Sequence, residues 1–261
     1  MSTMQQDTDV FTAEQAIIAE AADRFENAPP QDLLRWAVER YAPDLAVACS
    51  FGMQSVVIVD MLHKAKLLDQ TEVFYIDTGT LFAETHQTRL KMQARYGFVA
   101  RRVAADLSWQ AQQEKFGGHL YEQGPDGVKQ CCFIRKVEPM KNYLADNGIR
   151  AWVTGMRRSH SKTRADVPVV MWDQANNIVK INPVAAFDDT TLWGYIKAND
   201  VPYNPLYDQG YGSIGCDTPI CTRPVQPGED PRAGRWAGMG KTECGLHFDG
   251  KTVKSMDSSQ L

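Results

Sequence analysis

Between residues 46 and 156, short apolar runs alternate with amphipathic stretches, and this alternation constrains the fold more than any other property of the chain. The run at 46–51 stops at Gly52 and gives way to a helical pattern over 53–67. A second run at 73–76 ends in Asp77-Thr78-Gly79 before a helix over 82–96. A strand over 98–104, a helix over 109–116, a helix over 131–147 carrying Pro139 as a threatened kink, and a strand over 151–156 continue the series. Strands and helices of this length predict an α/β fold, a mostly parallel twisted sheet with helices on both faces. Such sheets bind ligands at the carboxyl ends of their strands, where the loops at Ser50, Asp77 and Gly155 fall. Two amphipathic helices precede the core. One carries Ile17, Ala21 and Phe25, the other Leu33, Leu34, Ala37, Val38 and Tyr41.

Beyond the alternation, 169–172 and 178–181 read as a hairpin, and 190–197 as a short helix with Leu192, Trp193 and Ile196 inward. From Asn199 to Gly240 the texture is Gly, Pro, Tyr and Arg with little periodicity, so this stretch is either disordered or held by something other than a hydrophobic core. Cys216 and Cys221 lie inside it and favour the second option. Residues 1–240 are expected to form one domain, with 241–261 a flexible tail.

The 261 residues carry 28 Lys and Arg against 32 Asp and Glu, so no overall basic field marks nucleic acid or an anionic membrane as a partner. Any anion site must be built locally. No apolar run reaches the length of a membrane span, and residues 1–12 lack the pattern of a signal peptide, which sets the expectation of a cytoplasmic protein. In that reducing compartment the 6 cysteines read as metal ligation or thiol chemistry rather than disulfides.

Cys131 and Cys132 are adjacent at the predicted start of a helix and cannot readily close on each other. With Cys216 and Cys221 they make four thiols, enough for zinc or an iron–sulfur group. A vicinal pair suits several irons better than one tetrahedral ion. Ser50-Phe51-Gly52, ahead of a helix N-terminus, can direct backbone N–H groups at an anion. In the loop after Gly155, Arg157, Arg158, His160, Lys162 and Arg164 fall within a span of eight residues. On a ligand-binding edge this basic loop suits phosphate or sulfate oxygens, and Arg232 and Arg235 can join it. Near the C-terminus, Lys241 and His247 flank Cys244 closely enough to favour its thiolate, and Gly245 removes bulk beside the sulfur. Cys49 reads as a small core residue, and His63, His86 and His119 have no metal-like spacing.

These residues resemble the assimilatory adenylylsulfate (APS) and phosphoadenylylsulfate (PAPS) reductases. The likeness spans Ser50-Phe51-Gly52, residues 76–79 with Leu81-Phe82 and Glu84-Thr85, residues 154–158 with Thr163-Arg164, Gly234-Arg235-Trp236, and the stretch Lys241 to His247. It implies an adenine nucleotide alpha hydrolase-like fold and attack by Cys244 on the sulfate sulfur of the bound nucleotide. AMP is then expelled, an S-sulfonated cysteine is left, and reduced thioredoxin or a similar dithiol releases sulfite. His247 would assist, and Lys136, Arg157, Arg158 and Arg235 would mask the anionic charge. Ser50, Phe51, Gly52, Asp77, Thr78, Gly79, Arg164 and Arg232 complete the implied substrate site.

Cys131, Cys132, Cys216 and Cys221 resemble the APS-using branch, in which four thiolates hold one 4Fe-4S cluster close to the substrate, with Lys136 between cluster and sulfate. Two departures stand against a simple transfer. Four residues separate Cys216 from Cys221 where the family has two, and residues 51–55 are closer to the PAPS branch, which keeps dual specificity open. A nucleotide-activating ligase or sulfurtransferase on the same sheet is the alternative enzyme, but its Ser-Gly-Gly-x-Asp-Ser loop is absent from residues 50–55. A metal-binding redox sensor is the non-enzymatic alternative, and it has no need of Cys244. The residues leave assembly into a homo-oligomer open.

Overall fold

A computed structural model describes residues 3–241 and Gly245, with the backbone alone for residues 3–12. α1 (Thr3–Phe25) and α2 (Pro30–Tyr41) come first. Pro30 opens α2, where a missing N–H costs nothing, and Leu33, Leu34, Ala37, Val38 and Tyr41 form its buried stripe. Strands β1 (Leu45–Ala48), β2 (Glu72–Asp77) and β3 (Arg101–Ala104) then alternate with α3 (Met53–Lys64) and α4 (Ala83–Tyr96). Next come α5 (Trp109–Phe116), α6 (Gly124–Cys132), a π-helical turn (Phe133–Val137) and α7 (Glu138–Asp146). β4 (Ala151–Val153), β5 (Val170–Asp173), β6 (Ile178–Ile181) and α8 (Asp189–Ala198) complete the series.

The six strands form one sheet in the order β3-β2-β1-β4-β6-β5, parallel except for the antiparallel β5–β6 pair. Because side chains alternate along a strand, each central strand feeds two cores. Leu45, Val47, Val73, Tyr75, Ala151 and Val153 join α1, α2, α3 and α8 on one face. Ala46, Phe74 and Trp152 join Met140, Tyr143 and Leu144 of α7 on the other. The expected α/β architecture is therefore present, and the chain reverses direction across the sheet between β1 and β4, the place where such folds leave a crevice.

Several boundaries differ from the sequence reading, the strands expected over 46–51 and 151–156 ending early at Ala48 and Val153. The strand expected over 98–104 starts only at Arg101. The helix expected to begin at Cys131 begins at Gly124, because Pro125 supplies a ready first turn, so Cys131 and Cys132 close α6 rather than open it. Pro139 does not break the run. The π-helical turn ahead of it lets the Glu138 N–H donate to Phe133 O, five residues back, and α7 continues with Pro139 in its first turn.

Residues 199–241 are irregular but tied down. Leu81 and Cys216 form a backbone bridge, Asp217 N donates to Thr80 O at 2.6 Å, and Arg223 N donates to Gly234 O at 3.0 Å. Asn204 Nδ2 reaches Thr85 Oγ1 on α4 at 3.0 Å.

Candidate active site

The crevice at the carboxyl ends of β1, β2 and β4 holds a cavity of about 220 Å³. Its apolar wall, Ala48, Phe74, Ile76, Met140 and Trp152, continues the core on the α7 side of the sheet. Its polar wall carries Lys136, His160, Arg164, Arg232 and Arg235. An apolar slot beside a cluster of cations suits a flat base linked to an anionic tail.

Between these walls lies the turn after β1. Phe51 adopts φ 57°, which turns the chain sharply while its ring stays buried against Tyr75, centroids 5.7 Å apart. Ser50, Phe51 and Gly52 all line the cavity, at the N-terminus of α3, where backbone N–H groups favour negative charge. Met53 N donates to Tyr207 Oη at 3.2 Å, which brings the irregular segment against this turn. After β2, Thr78 lines the cavity, while Asp77 and Gly79 act behind it. Asp77 accepts from Gly79 N at 2.9 Å and from Arg102 Nε at 2.6 Å. Burial is the largest single influence and pulls the Asp77 pKa upward, but the Arg102 hydrogen bond and charge, the Gly79 N–H and the nearby His86 together hold the carboxyl below its ordinary range. Gly79 has φ 76°, and a Cβ there would stand 2.4 Å from Trp109 Nε1, so only glycine allows the close approach.

The basic loop divides in a way its charge pattern did not reveal. Arg164, together with His160, faces the cavity, whereas Arg157 and Arg158, expected at the substrate, do not line it. Arg157 is 1% exposed and bonded to Asp189, Ser159 and the Phe187 carbonyl, and Gln54 Oε1, facing it, accepts at 3.1 Å. Arg158 makes a two-pronged pair with Glu26 of α1 at 2.6 and 2.8 Å. Both guanidiniums are engaged by scaffold groups and stand behind the residues that line the cavity. His160 is the residue the run concealed: burial, then the charges of Arg232, Arg164, Arg157 and Arg235, push its pKa down to about 2.

Arg235 closes the site from the C-terminal side. Its guanidinium donates to the Cys221 carbonyl at 2.9 Å, Ser213 Oγ at 3.3 Å and the Ile214 carbonyl at 3.1 Å, and lies 4.4 Å from the Trp236 ring centre. Gly215 gives it room, since a Cβ there would stand 2.2 Å from Arg235 Nη2. Trp236, Met140, Trp152 and Tyr207 were not singled out as site residues, because aromatic and apolar cavity walls carry the same periodicity as a core. Lys241 Nζ sits 5.1 Å from the Trp236 ring centre. Cys244 and His247 lie outside the described residues.

A second, smaller cavity adjoins the first and is lined by Cys131, Cys132, Cys216 and Cys221, with Lys136 shared between the two. Cys132, Cys216 and Cys221 pack with Trp236, whose buried Nε1 has no hydrogen-bond partner among the described residues. Gln112 Nε2 donates towards Cys131 Sγ at 3.9 Å, and Gln112 Oε1 accepts from Arg135 Nε at 2.7 Å, which fixes the amide. Burial raises the Cys131 pKa to about 11, with Cys132 and Cys216 adding to the rise. Among the described residues no three His, Cys, Asp or Glu side chains gather as a site for a single ion. Four buried thiols around one cavity, the Gln112 amide directed at Cys131 and a lysine alongside fit a sulfur-rich, negatively charged group better than one tetrahedral cation.

Residues 44–224 match the Phosphoadenosine phosphosulfate reductase domain. The chain is 40% identical to the phosphoadenosine 5'-phosphosulfate reductase of Gloeobacter violaceus, across 93% of this chain and 98% of that one. It is 42% identical to the adenosine 5'-phosphosulfate reductase of Mycolicibacterium smegmatis, across 92% and 99%. A solved phosphoadenylyl-sulfate reductase from Candida auris superposes with TM-score 0.68 at 32% identity, across 78% of this chain and 95% of that one. The FMN adenylyltransferase of Candida glabrata, at TM-score 0.54 and 14% identity across 77% and 62%, shares the fold alone. With a nucleotide-shaped crevice, a cationic wall and these relatives along nearly its whole length, the chain belongs to the phosphoadenosine phosphosulfate reductase family and is an oxidoreductase acting on sulfur.

Proposed function

We propose that the protein reduces adenylyl sulfate to sulfite and AMP in sulfate assimilation, with electrons from reduced thioredoxin or a similar dithiol. The observation that carries this reading is the place of Lys136, on the wall of both the anion cavity and the cavity of four thiols. The adenine would lie against Trp152, Met140 and Phe74, and the phosphosulfate between the turn at Ser50–Gly52 and Arg164, Arg232 and Arg235. The Cys244 thiolate then attacks the sulfate sulfur, the bond from sulfur to the bridging phosphate oxygen breaks, and AMP leaves with the electron pair. The Cys244 S-sulfonate passes to the dithiol, whose two thiols give up two electrons to form a disulfide, releasing sulfite and the free Cys244. The fixed cations lower the cost of bringing a thiolate to an anion.

Cys131, Cys132, Cys216 and Cys221 would hold a 4Fe-4S cluster, which supplies a fixed charge beside Lys136. The second reading, use of PAPS, is favoured by the PAPS-like residues 51–55 and by the names of two relatives. Anaerobic sulfite release from APS and from PAPS, with reduced thioredoxin, tests both. APS turnover that vanishes in Cys244→Ser is expected. Turnover of PAPS alone reassigns the substrate, and sulfite from the variant removes Cys244 as nucleophile.

A further inference from the structure

The residue that α5 buries is a glutamine. Gln112 is 0% exposed, while every other residue of the helix is half-buried or exposed. A helix packed on a protein core ordinarily buries an aliphatic stripe, and a glutamine sealed from water needs partners for both its carbonyl and its NH2. Arg135, on the π-helical turn, supplies the first. Its Nε donates to Gln112 Oε1 at 2.7 Å, and its other two nitrogens donate to the Leu107 and Ser108 carbonyls at 2.7 and 2.9 Å. The guanidinium also lies 4.2 Å from the ring centre of Trp109, which lines the thiol cavity. A guanidinium has donors only, so the amide oxygen must face Arg135. The NH2 is thereby left facing Cys131 Sγ, at 3.9 Å.

We propose that Gln112 is a positioning residue of the thiol site, donating an N–H to the Cys131 sulfur once that sulfur is a cluster-bound thiolate, with Arg135 locking the amide the right way round. A charged acceptor shortens and strengthens such a bond. Donation draws negative charge from one ligand sulfur and fixes its direction, which is how groups behind a metal's ligands govern its retention. The opposite orientation would set a carbonyl oxygen against the thiolate, and Arg135 forbids it. This rests on the reading of the four thiols as a cluster site.

The experiment compares the anaerobically prepared protein with Gln112→Glu and Gln112→Met. Glutamate keeps the volume and the bond from Arg135 but turns oxygen to the sulfur, and methionine keeps the volume with no donor. Iron per chain, iron release to a chelator, and the iron–sulfur stretching bands in resonance Raman spectra from ordinary and heavy water are measured. Expected are about tenfold faster release in both variants and a deuterium shift of the parent's cysteine–iron bands that shrinks in both. Release and deuterium shift equal to the parent's in either variant overturn the proposal. Faster release with an undiminished shift overturns it too, assigning Gln112 to packing alone. Should a variant assemble no cluster, its melting against the chelator-stripped parent decides: equal melting upholds the donor, lowered melting assigns the residue to the fold and overturns the proposal. A parent without iron overturns the cluster reading and this inference together, and its sulfite release from APS tells separately whether the reductase reading stands.

Discussion

The sheet and the C-terminal segment over residues 199–241 are built on different physics. α3 is buried on nearly all sides, with Val56, Val57, Ile58, Val59 and Leu62 at most 1% exposed, and its one buried charge is fully answered. Asp60 receives Tyr96 Oη at 2.9 Å and Tyr195 Oη at 2.6 Å and pairs with Lys64 at 2.8 Å. The C-terminal segment has no comparable apolar mass. It is held by the bridge at Cys216, the three hydrogen bonds of Arg235, one buried tryptophan and the thiols. Stability resides in the first region and half of the site's cations in the second, so the two should respond differently to substitution.

Arg235→Ala should separate them most. It removes a cavity cation and leaves the Cys221 and Ile214 carbonyls without that donor. kcat/KM for the sulfonucleotide should fall about 10²–10³-fold, and amide exchange should accelerate over residues 211–236 while β1 and β4 stay protected. Equal acceleration in the strands would merge the two regions into one cooperative unit. Leu62→Ala is the converse case: it opens a cavity in α3 and should cost about 3 kcal/mol of unfolding free energy, read from denaturant midpoints, with substrate KM unchanged. A raised KM would show that the core sets the site's geometry directly.

Gly215→Ala sharpens the comparison at one atom. Its new methyl group meets Arg235 Nη2, so KM should rise about tenfold, worth ~1.4 kcal/mol, with little change in melting temperature. The smallest effect is electrostatic and lies within the scaffold. The Arg158 hydrogen bond holds the Glu26 carboxyl below its usual range. A lowered carboxyl contributes stability above its unfolded pKa and loses it as pH falls through the folded value. Arg158→Gln should therefore cost less than about 1 kcal/mol at neutral pH, a difference that fades as acid protonates Glu26 below the ordinary carboxylate range. A difference that persisted in acid would mean that Arg158 acts through its packing.

What could be read from the sequence follows the same division. The strand and helix alternation, the turn at Ser50 and the hairpin of β5 and β6 were legible because apolar periodicity dictates them. The convergence of Cys131 and Cys132 with Cys216 and Cys221 was legible from thiol chemistry and from family likeness. The π-helical turn was not, since nothing in Phe133–Val137 distinguishes a widened turn from an ordinary one. Nor could a run of Arg157, Arg158, His160 and Arg164 show which members face inward. That depends on Asp189 and Glu26, carboxylates at great separation along the chain, having claimed two of them. Trp152 hid for a further reason: a strand residue buried on one face serves core and cavity alike.

The bridge between Leu81 and Cys216 makes one lever of two loops. Thr80 O accepts from Asp217 N, Cys216 Sγ lies 3.5 Å from Thr78 Oγ1, and Thr78 O accepts from Trp109 Nε1 at 2.9 Å. Any displacement of the Cys216 sulfur, by oxidation, alkylation or loss of whatever it holds, is thus delivered to the strand end that forms the floor of the nucleotide crevice. Nucleotide affinity then becomes a gauge of thiol condition, legible in a binding isotherm before any turnover occurs.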